Sequence, residues 1–221
     1  RSFPGISEKM KWGDDFTSIR LEASQAMPTS GTVSLRVLDD DTSPYLLIHT
    51  LATSIGKDLS ARANLTHFKF GELGSGSAQD SRFYGNTVDG YGKQNARFVY
   101  TFEGFEAGAG IDYRISDSLG ISCDGYYTLN NEAPITKRAA YATALEVKYA
   151  EPTYEVAPSL NYFRAESDVL PASYSSSGFG SNNRQGFGFG LRLNFPKDQV
   201  GFSGSWAQAN KIEDNPYMGD R

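Results

Sequence analysis

Side chains that could carry acid–base or nucleophilic chemistry are few in this sequence. The chain of 221 residues contains two histidines, His49 and His67, and one cysteine, Cys123. Neither histidine belongs to a His-x-Ser element, and no Asp pair accompanies an Asp–His pair. Asp39-Asp40-Asp41 could offer oxygen ligands to calcium, but a solvated acidic turn is the preferred interpretation. We therefore expect no catalytic residue, cofactor or metal, and the protein is not predicted to be an enzyme.

Charged and amide side chains recur between residues 97 and 194 at spacings that place them together. Residues two apart on a strand share a face, so these side chains would form one charged wall. Such a wall tunes ion selectivity where it lines a water-filled path. Alternatively, the charges pair across strands and fill the interior of a narrow barrel. The pore-lining candidates are Arg97, Glu103, Asp112, Arg114, Asp124, Glu146, Lys148, Glu155, Asn161, Arg192 and Asn194.

The segments that must position these side chains alternate with a period of two. In residues 119–129, Leu119, Ile121, Tyr127 and Leu129 share one parity with Cys123, and the other parity is glycine or mostly polar. The same alternation recurs in 138–150, 153–165, 186–195 and 199–209. Strands of about ten residues with one apolar and one small or polar face are typical of a transmembrane β-barrel. Tyr and Phe near the strand ends would form its interfacial girdles.

The connections between these strands alternate in length. Short turns are predicted at 116–118, 151–152 and 196–198. Longer polar loops are predicted at 71–94, 130–137 and 166–184. Outer-membrane barrels have short periplasmic turns and long external loops. We therefore expect 71–94 and 166–184 to be long external loops, and loop 166–184 either folds inward as a constriction or binds a partner.

Composition limits the function classes. The formal net charge is −5 and no basic cluster is present, so a nucleic-acid partner is not expected. No segment approaches the roughly 18 continuous apolar residues of a membrane-spanning helix. This does not argue against a barrel, whose apolar residues are interleaved with polar ones.

Residues 95–115 show a change of parity. Phe98, Tyr100 and Phe102 set an even apolar parity, whereas Ala107 to Ile115 set an odd one. Either a tight turn lies at Glu103-Gly104, or a β-bulge there switches the faces of one long strand. The bulge is preferred because it keeps every short turn at one end of the sheet.

About ten strands are expected in total. They are 17–24, 32–38, 44–54, 59–70, 95–115, 119–129, 138–150, 153–165, 186–195 and 199–209. This order places both chain ends on the external side, although bacterial barrels normally start and finish in the periplasm. It is compatible with a chain that is an internal portion of a larger barrel, and the total strand number stays open.

One short stretch carries a family resemblance. Residues 51–65, LATSIGKDLSARANL, form a strand–turn–strand pattern around Gly56-Lys57-Asp58. This pattern is similar to one in carbohydrate-selective and cyanobacterial-type porins, and the hairpin pattern of 95–209 resembles Gram-negative outer-membrane porins more generally. The resemblance implies passive diffusion of small hydrophilic solutes.

The sequence thus predicts a single all-β domain over 1–221, an antiparallel up-and-down transmembrane β-barrel in the bacterial outer membrane. Its expected partners are outer-membrane lipid and small hydrophilic solutes or ions. A non-conducting barrel that serves as a structural or docking subunit of an envelope complex is the alternative function. Its partners would be further copies or other envelope subunits. A soluble all-β surface protein or a barrel enzyme is the remaining alternative.

Overall fold

The computed structural model describes residues 4–14, 16–28, 43–92, 94–174 and 182–218. Ten strands form one antiparallel sheet in which the neighbours follow chain order, so the all-β prediction is confirmed. In chain order the elements are β1 (Gly5–Gly13), β2 (Thr17–Ala26), β3 (Tyr45–Gly56), β4 (Leu59–Gly71), α1 (Ser75–Arg82), β5 (Val88–Asp89), β6 (Arg97–Phe98), β7 (Phe102–Arg114), β8 (Leu119–Asn130), β9 (Ala139–Ala150), β10 (Glu155–Ala165), β11 (Arg184–Phe195) and β12 (Val200–Lys211).

Strands β5 and β6 pair only with each other, and the remaining ten form the large sheet. The sheet is not closed, because β1 and β12 are its edges and neither has a second strand partner in the described part of the chain. The predicted strand 32–38 and the acidic triplet 39–41 lie outside the described residues. Within the described ranges, no helix has both the length and the hydropathy needed to cross a bilayer.

The parity change in residues 95–115 has a different cause from both alternatives. Strand β7 pairs with β4 in unbroken register from Phe102, opposite Phe70, to Tyr113, opposite Leu59. It therefore contains neither a turn at Glu103-Gly104 nor a β-bulge, and the preferred interpretation was wrong. Phe102 lies on the face of the sheet opposite to Ile111. An apolar residue is found there because a loop covers it. Phe98 in β6 packs edge-on against Phe102, with their ring centroids 5.0 Å apart.

The two faces of the sheet differ in polarity along its whole width. One, here called the apolar face, carries large exposed apolar side chains on every strand, among them Leu160 at 55%, Trp206 at 56% and Ile111 at 52% exposure. The other, here called the polar face, carries most of the charged, hydroxyl and glycine positions of the strands. In a soluble sheet one would expect an apolar face to be buried against another layer. Among the described residues no such layer covers it.

The two ends of the sheet also differ. At the end here called the turn end, pairs of strands are joined by two to four residues, as at 57–58, 115–118, 151–154 and 196–199. At the opposite loop end lie the long connections, the start of β1 and the end of β12. The sorting of short and long connections to opposite ends agrees with the sequence prediction.

Most buried side chains lie at the loop end. A layer of connections packs there and is here called the loop cap. It comprises residues 72–92, 94–101, 131–138, 166–174, 182–183 and 212–218. Polar side chains dominate its interior, including Asn86, Asn182 and Asp168, each at most 4% exposed. The loop cap covers the polar face at this end, since Phe68, Phe102 and Phe163 of that face are buried beneath it.

Candidate functional site: the polar face of the sheet

A charged cluster spans three central strands of the polar face. Arg62 of β4 reaches across β7 to Asp124 of β8, with Nη2 2.6 Å from Oδ1, and its second terminal nitrogen bonds Asp112 of β7. Asp112 also accepts a hydrogen bond from the Ser60 hydroxyl. The three charged side chains are 40–46% exposed, so they remain open to water.

Gly110 makes the reach of Arg62 possible. It lies between Arg62 and Asp124 in the register of β4, β7 and β8. An added Cβ at Gly110 would lie 2.7 Å from Arg62 Nε and would clash with Asp124 Oδ1. A glycine at this position therefore leaves the room in which the ion pair forms.

A second cluster lies on β9, β10 and β11. Lys148 Nζ is 2.7 Å from Glu155 Oε2, and Arg192 Nη2 is 3.1 Å from Glu146 Oε1 and 3.7 Å from Glu155. Asn194 donates a 3.3 Å hydrogen bond to the second Glu155 oxygen. Opposite charges on one face of neighbouring strands form such pairs readily, and each half-exposed pair contributes about 0–1 kcal/mol.

Most of the pore-lining candidates share the polar face. The strand register places nine of them on this face: Asp112, Arg114, Asp124, Glu146, Lys148, Glu155, Asn161, Arg192 and Asn194. Arg114 lies at the turn end, 3.7 Å from Asp58. The Oδ1 atom of Asn161 is buried with no hydrogen-bond partner among the described residues.

Two candidates lie elsewhere. Arg97 belongs to β6, opposite Asp89, and is therefore outside the ten-stranded sheet. Glu103 lies on the apolar face, where its carboxylate is 2.7 Å from Lys69 Nζ and 3.4 Å from His67 Nε2. Glu103 was assigned to the charged wall on the assumption of a β-bulge. Because β7 has no bulge, Glu103 lies on the same face as Phe105.

The two histidines also lie on the apolar face, near the loop end. Their rings stack with centroids 5.9 Å apart, and His67 contacts Phe105. In the described residues, no group of three or more His, Cys, Asp or Glu side chains is placed to hold a metal ion. Cys123 is exposed on the same face, opposite Ile111 and Leu145.

Several charged residues of the polar face were not identified from the sequence. Arg62, Lys9, Lys11, Arg20 and Glu22 all belong to this face by register. The alternation of Leu59, Ala61, Ala63 and Leu65 with Ser60, Arg62 and Asn64 could have found Arg62. Lys9 and Lys11 lie in β1, which was not predicted. Arg20 and Glu22 lie in β2, a predicted strand, where they alternate with Ile19, Leu21 and Ala23.

The polar face is open at one end and covered at the other. At the turn end a cavity of about 510 Å³ reaches Asp112, Ser122 and Lys148. At the loop end the Asn130 amide, 0% exposed, donates to the carbonyls of Thr101 and Asp168 at 2.9 and 2.7 Å. Asn130 thus ties the polar face directly to the loop cap.

Hydrogen bonds between distant loops hold the loop cap together. The Asn86 amide donates to the carbonyls of Ser167 and Leu170 and accepts from the backbone N–H of Ala172. The Asp168 carboxylate accepts from the backbone N–H of Thr87 at 2.8 Å and from its hydroxyl at 2.6 Å. Buried polar groups that are satisfied in this way specify one arrangement of the loops.

The chemistry that these side chains could supply is electrostatic, through charged and hydrogen-bonding groups that are open to water. Most charged groups of this face form cross-strand pairs, and the face carries charges of both signs. No family model, curated protein or solved structure matches the chain.

Proposed function

We propose that the sheet closes into a transmembrane β-barrel of the bacterial outer membrane, with the apolar face toward lipid. The observation that carries this proposal is the polarity of the two faces. Large apolar side chains are exposed on all ten strands of one face, and ion-paired charges lie on the other. An exposed apolar band of this width is favourable in the hydrocarbon core of a membrane.

The two open edges of the sheet support the proposed closure. A strand edge exposes unpaired N–H and C=O groups, which hydrocarbon does not tolerate. With ten antiparallel strands in order, β1 and β12 run in opposite directions. They can therefore pair directly or through an even number of further strands, which gives a barrel of ten strands or a larger one.

The function that fits this barrel best is passive diffusion of small hydrophilic solutes or ions, as in porins. The polar face would then line the path, and its half-exposed charges would tune selectivity. Its open turn end, with the 510 Å³ cavity, offers an entrance. Outer-membrane lipid and the diffusing solute are the proposed partners.

The second candidate is a non-conducting barrel that acts as a structural or docking subunit of an envelope complex. The loop cap favours it, because this layer packs over the polar face and buries Phe102, Asn130 and Phe163. A barrel that is filled in this way does not conduct unless the loop cap moves. Further copies or other envelope subunits would be its partners.

Conductance in planar bilayers decides between the two. A porin gives stepwise current, whereas a filled barrel gives none while remaining folded in detergent. Replacing both Asp124 and Glu146 by Asn and Gln should shift the reversal potential in a salt gradient toward anion preference. The variant Asp117→Asn, in a turn, is the control and should leave it unchanged. An unchanged reversal potential in D124N/E146Q with conductance intact would place these carboxylates outside the ion path.

A further inference from the structure

Two cations face each other directly across β1 and β2. Lys11 is the register partner of Arg20, and both are exposed. They lie on the polar face, because Lys9, two residues away on β1, forms a 3.2 Å ion pair with Glu22 of β2 on that face. Like charges opposite each other on one face of an antiparallel pair are destabilising.

The other cations around this pair are already neutralised. Arg62 is bound by two aspartates, and Lys9 is bound by Glu22. No carboxylate of the described residues lies within ion-pair distance of Lys11 or Arg20. The positive charges of Lys11 and Arg20 therefore have no carboxylate partner among the described residues, whereas most other cations of the polar face are ion-paired.

We propose that Lys11 and Arg20 bind a small oxyanion, the phosphate or carboxylate group of a solute. A planar guanidinium beside an ammonium suits such a group, since the guanidinium donates two parallel hydrogen bonds and the ammonium adds a point charge. One row nearer the turn end, the hydroxyls of Ser18 and Ser54 lie 2.9 Å apart and offer further donors. On the β3 side, Arg20 faces the small side chain of Ala52, which leaves room for the anion.

The proposal deepens the proposed function and rests on it in one respect, namely that the solute reaches the polar face through the barrel. It names the solute class as anionic. Occupation of the site would offset the repulsion between Lys11 and Arg20, so binding should stabilise the fold.

Inorganic phosphate is the probe, added to the purified chain in detergent at constant ionic strength held with KCl. Wild type should gain about 3–6 °C in Tm at a phosphate concentration ten times the dissociation constant. The variant K11Q/R20Q should show no gain. The control K57Q/K197Q removes the same charge from two turns and should keep the wild-type gain. No gain in wild type, or an equal gain in K11Q/R20Q, would overturn the site.

A second variant guards against a folding defect. Lys11→Glu places a carboxylate opposite Arg20, so it should be at least as stable as wild type without phosphate and should lose the phosphate gain. A retained gain in K11E would also overturn the site. Conductance is measured separately. If the chain binds phosphate but does not conduct, the result contradicts the pore and supports the anion site. If it conducts but does not bind phosphate, the result supports the pore and contradicts the anion site.

Discussion

At the scale of single residues, the ion pairs of the polar face depend on a glycine as much as on the charges themselves. Gly110→Ala would displace Arg62 from Asp124, because the added methyl group occupies the space between them. We expect a loss of up to about 1 kcal/mol in the free energy of unfolding, smaller at high salt because the pair is half-exposed. Thermal unfolding in detergent at low and high salt measures it.

Gly204→Ala is the matched control for Gly110→Ala. Gly204 is also a strand glycine, but no atom lies within 4 Å of the Cβ that alanine would add. It should show no salt-dependent change in stability. Equal effects of the two substitutions at both salt concentrations would contradict the role assigned to Gly110.

Asp14 gives the turn between β1 and β2 a pH dependence. Its Oδ1 accepts the backbone N–H groups of Thr17 and Phe16, both at 2.8 Å, and these bonds hold the pKa of the carboxyl below its ordinary value. A carboxyl whose pKa is lower in the folded state stabilises the fold above its unfolded pKa and loses this effect as the pH falls through the folded pKa. Asp14→Ala should therefore lower Tm at pH 7, with a difference from wild type that shrinks below about pH 4.

Asp14→Asn separates the charge from the hydrogen bonds. Its amide oxygen accepts the same two N–H groups and does not titrate, so the Tm difference between D14N and D14A should not change with pH. A difference between wild type and D14A that stays constant from pH 7 to about pH 3 would show that the ionised carboxyl has no part in the turn.

At the scale of elements, alternation in the sequence is enough to locate most of the sheet. Eight of the ten predicted strands, all except 32–38 and 95–115, match observed strands to within two residues at each end. Strand β1 was missed although Ile6, Met10 and Trp12 alternate with Ser7, Lys9 and Lys11, because the charged Glu8 interrupts the apolar set. The same alternation predicts which side chains lie on most of the polar face.

The loop cap could not be predicted in the same way. Helix α1, SGSAQDSR, consists largely of weak helix formers, and no side-chain hydrogen bond caps its N-terminus. It forms within the loop cap, where the Ser81 hydroxyl accepts the backbone N–H of Ser173 at 3.0 Å. A run of Ser, Gly, Asn and Asp reads as a solvated loop, and only contacts between distant loops make it a buried layer.

Asp168 is expected to hold the loop cap in place. Asp168→Ala leaves the N–H and hydroxyl of Thr87 without their acceptor in a buried site, which costs about 1–3 kcal/mol. Hydrogen exchange should rise in 84–90 and 166–174 and stay unchanged in the strands. Asp117→Ala at the turn end is the control. Unchanged exchange in 84–90 would contradict this role, and under the porin proposal D168A should also raise conductance.

The assignment of faces is tested on one strand. Leu145 and Ala144 are neighbours on β9 that belong to the apolar and the polar face, and both are exposed. Under the proposed function, Leu145→Arg should impair barrel assembly, since a charge that faces hydrocarbon costs about 2–4 kcal/mol near the bilayer midplane. Ala144→Arg should be tolerated, because Asp124 is its register neighbour. Heat-modifiable gel mobility measures assembly, and equal outcomes for the two variants would contradict the face assignment.

At the scale of the whole molecule, the strand number is the quantity that alternation cannot supply. Alternation predicts the two faces of each strand, and chain order predicts which strands are neighbours. Neither predicts the strand that pairs with an edge strand. Because the outer edges of β1 and β12 are unpaired in the sheet, the structure is compatible with a barrel of ten strands and with a larger one. The sorting of loops, in contrast, follows from the chain order and gives the sheet two distinct ends.

The orientation of these two ends in the membrane is the last prediction. Under the proposed function the long loops lie outside and the short turns lie in the periplasm. Single cysteines at Ile135, 75% exposed in the connection 131–138, and at Asp198, in a turn, report the two ends in a Cys123→Ala background. An impermeant maleimide on intact cells should label position 135 and leave 198 unlabelled until the outer membrane is opened. The reverse pattern would invert the barrel, labelling at both positions would contradict a spanning sheet, and labelling at neither position in folded protein would favour the docked, non-conducting subunit over a free porin.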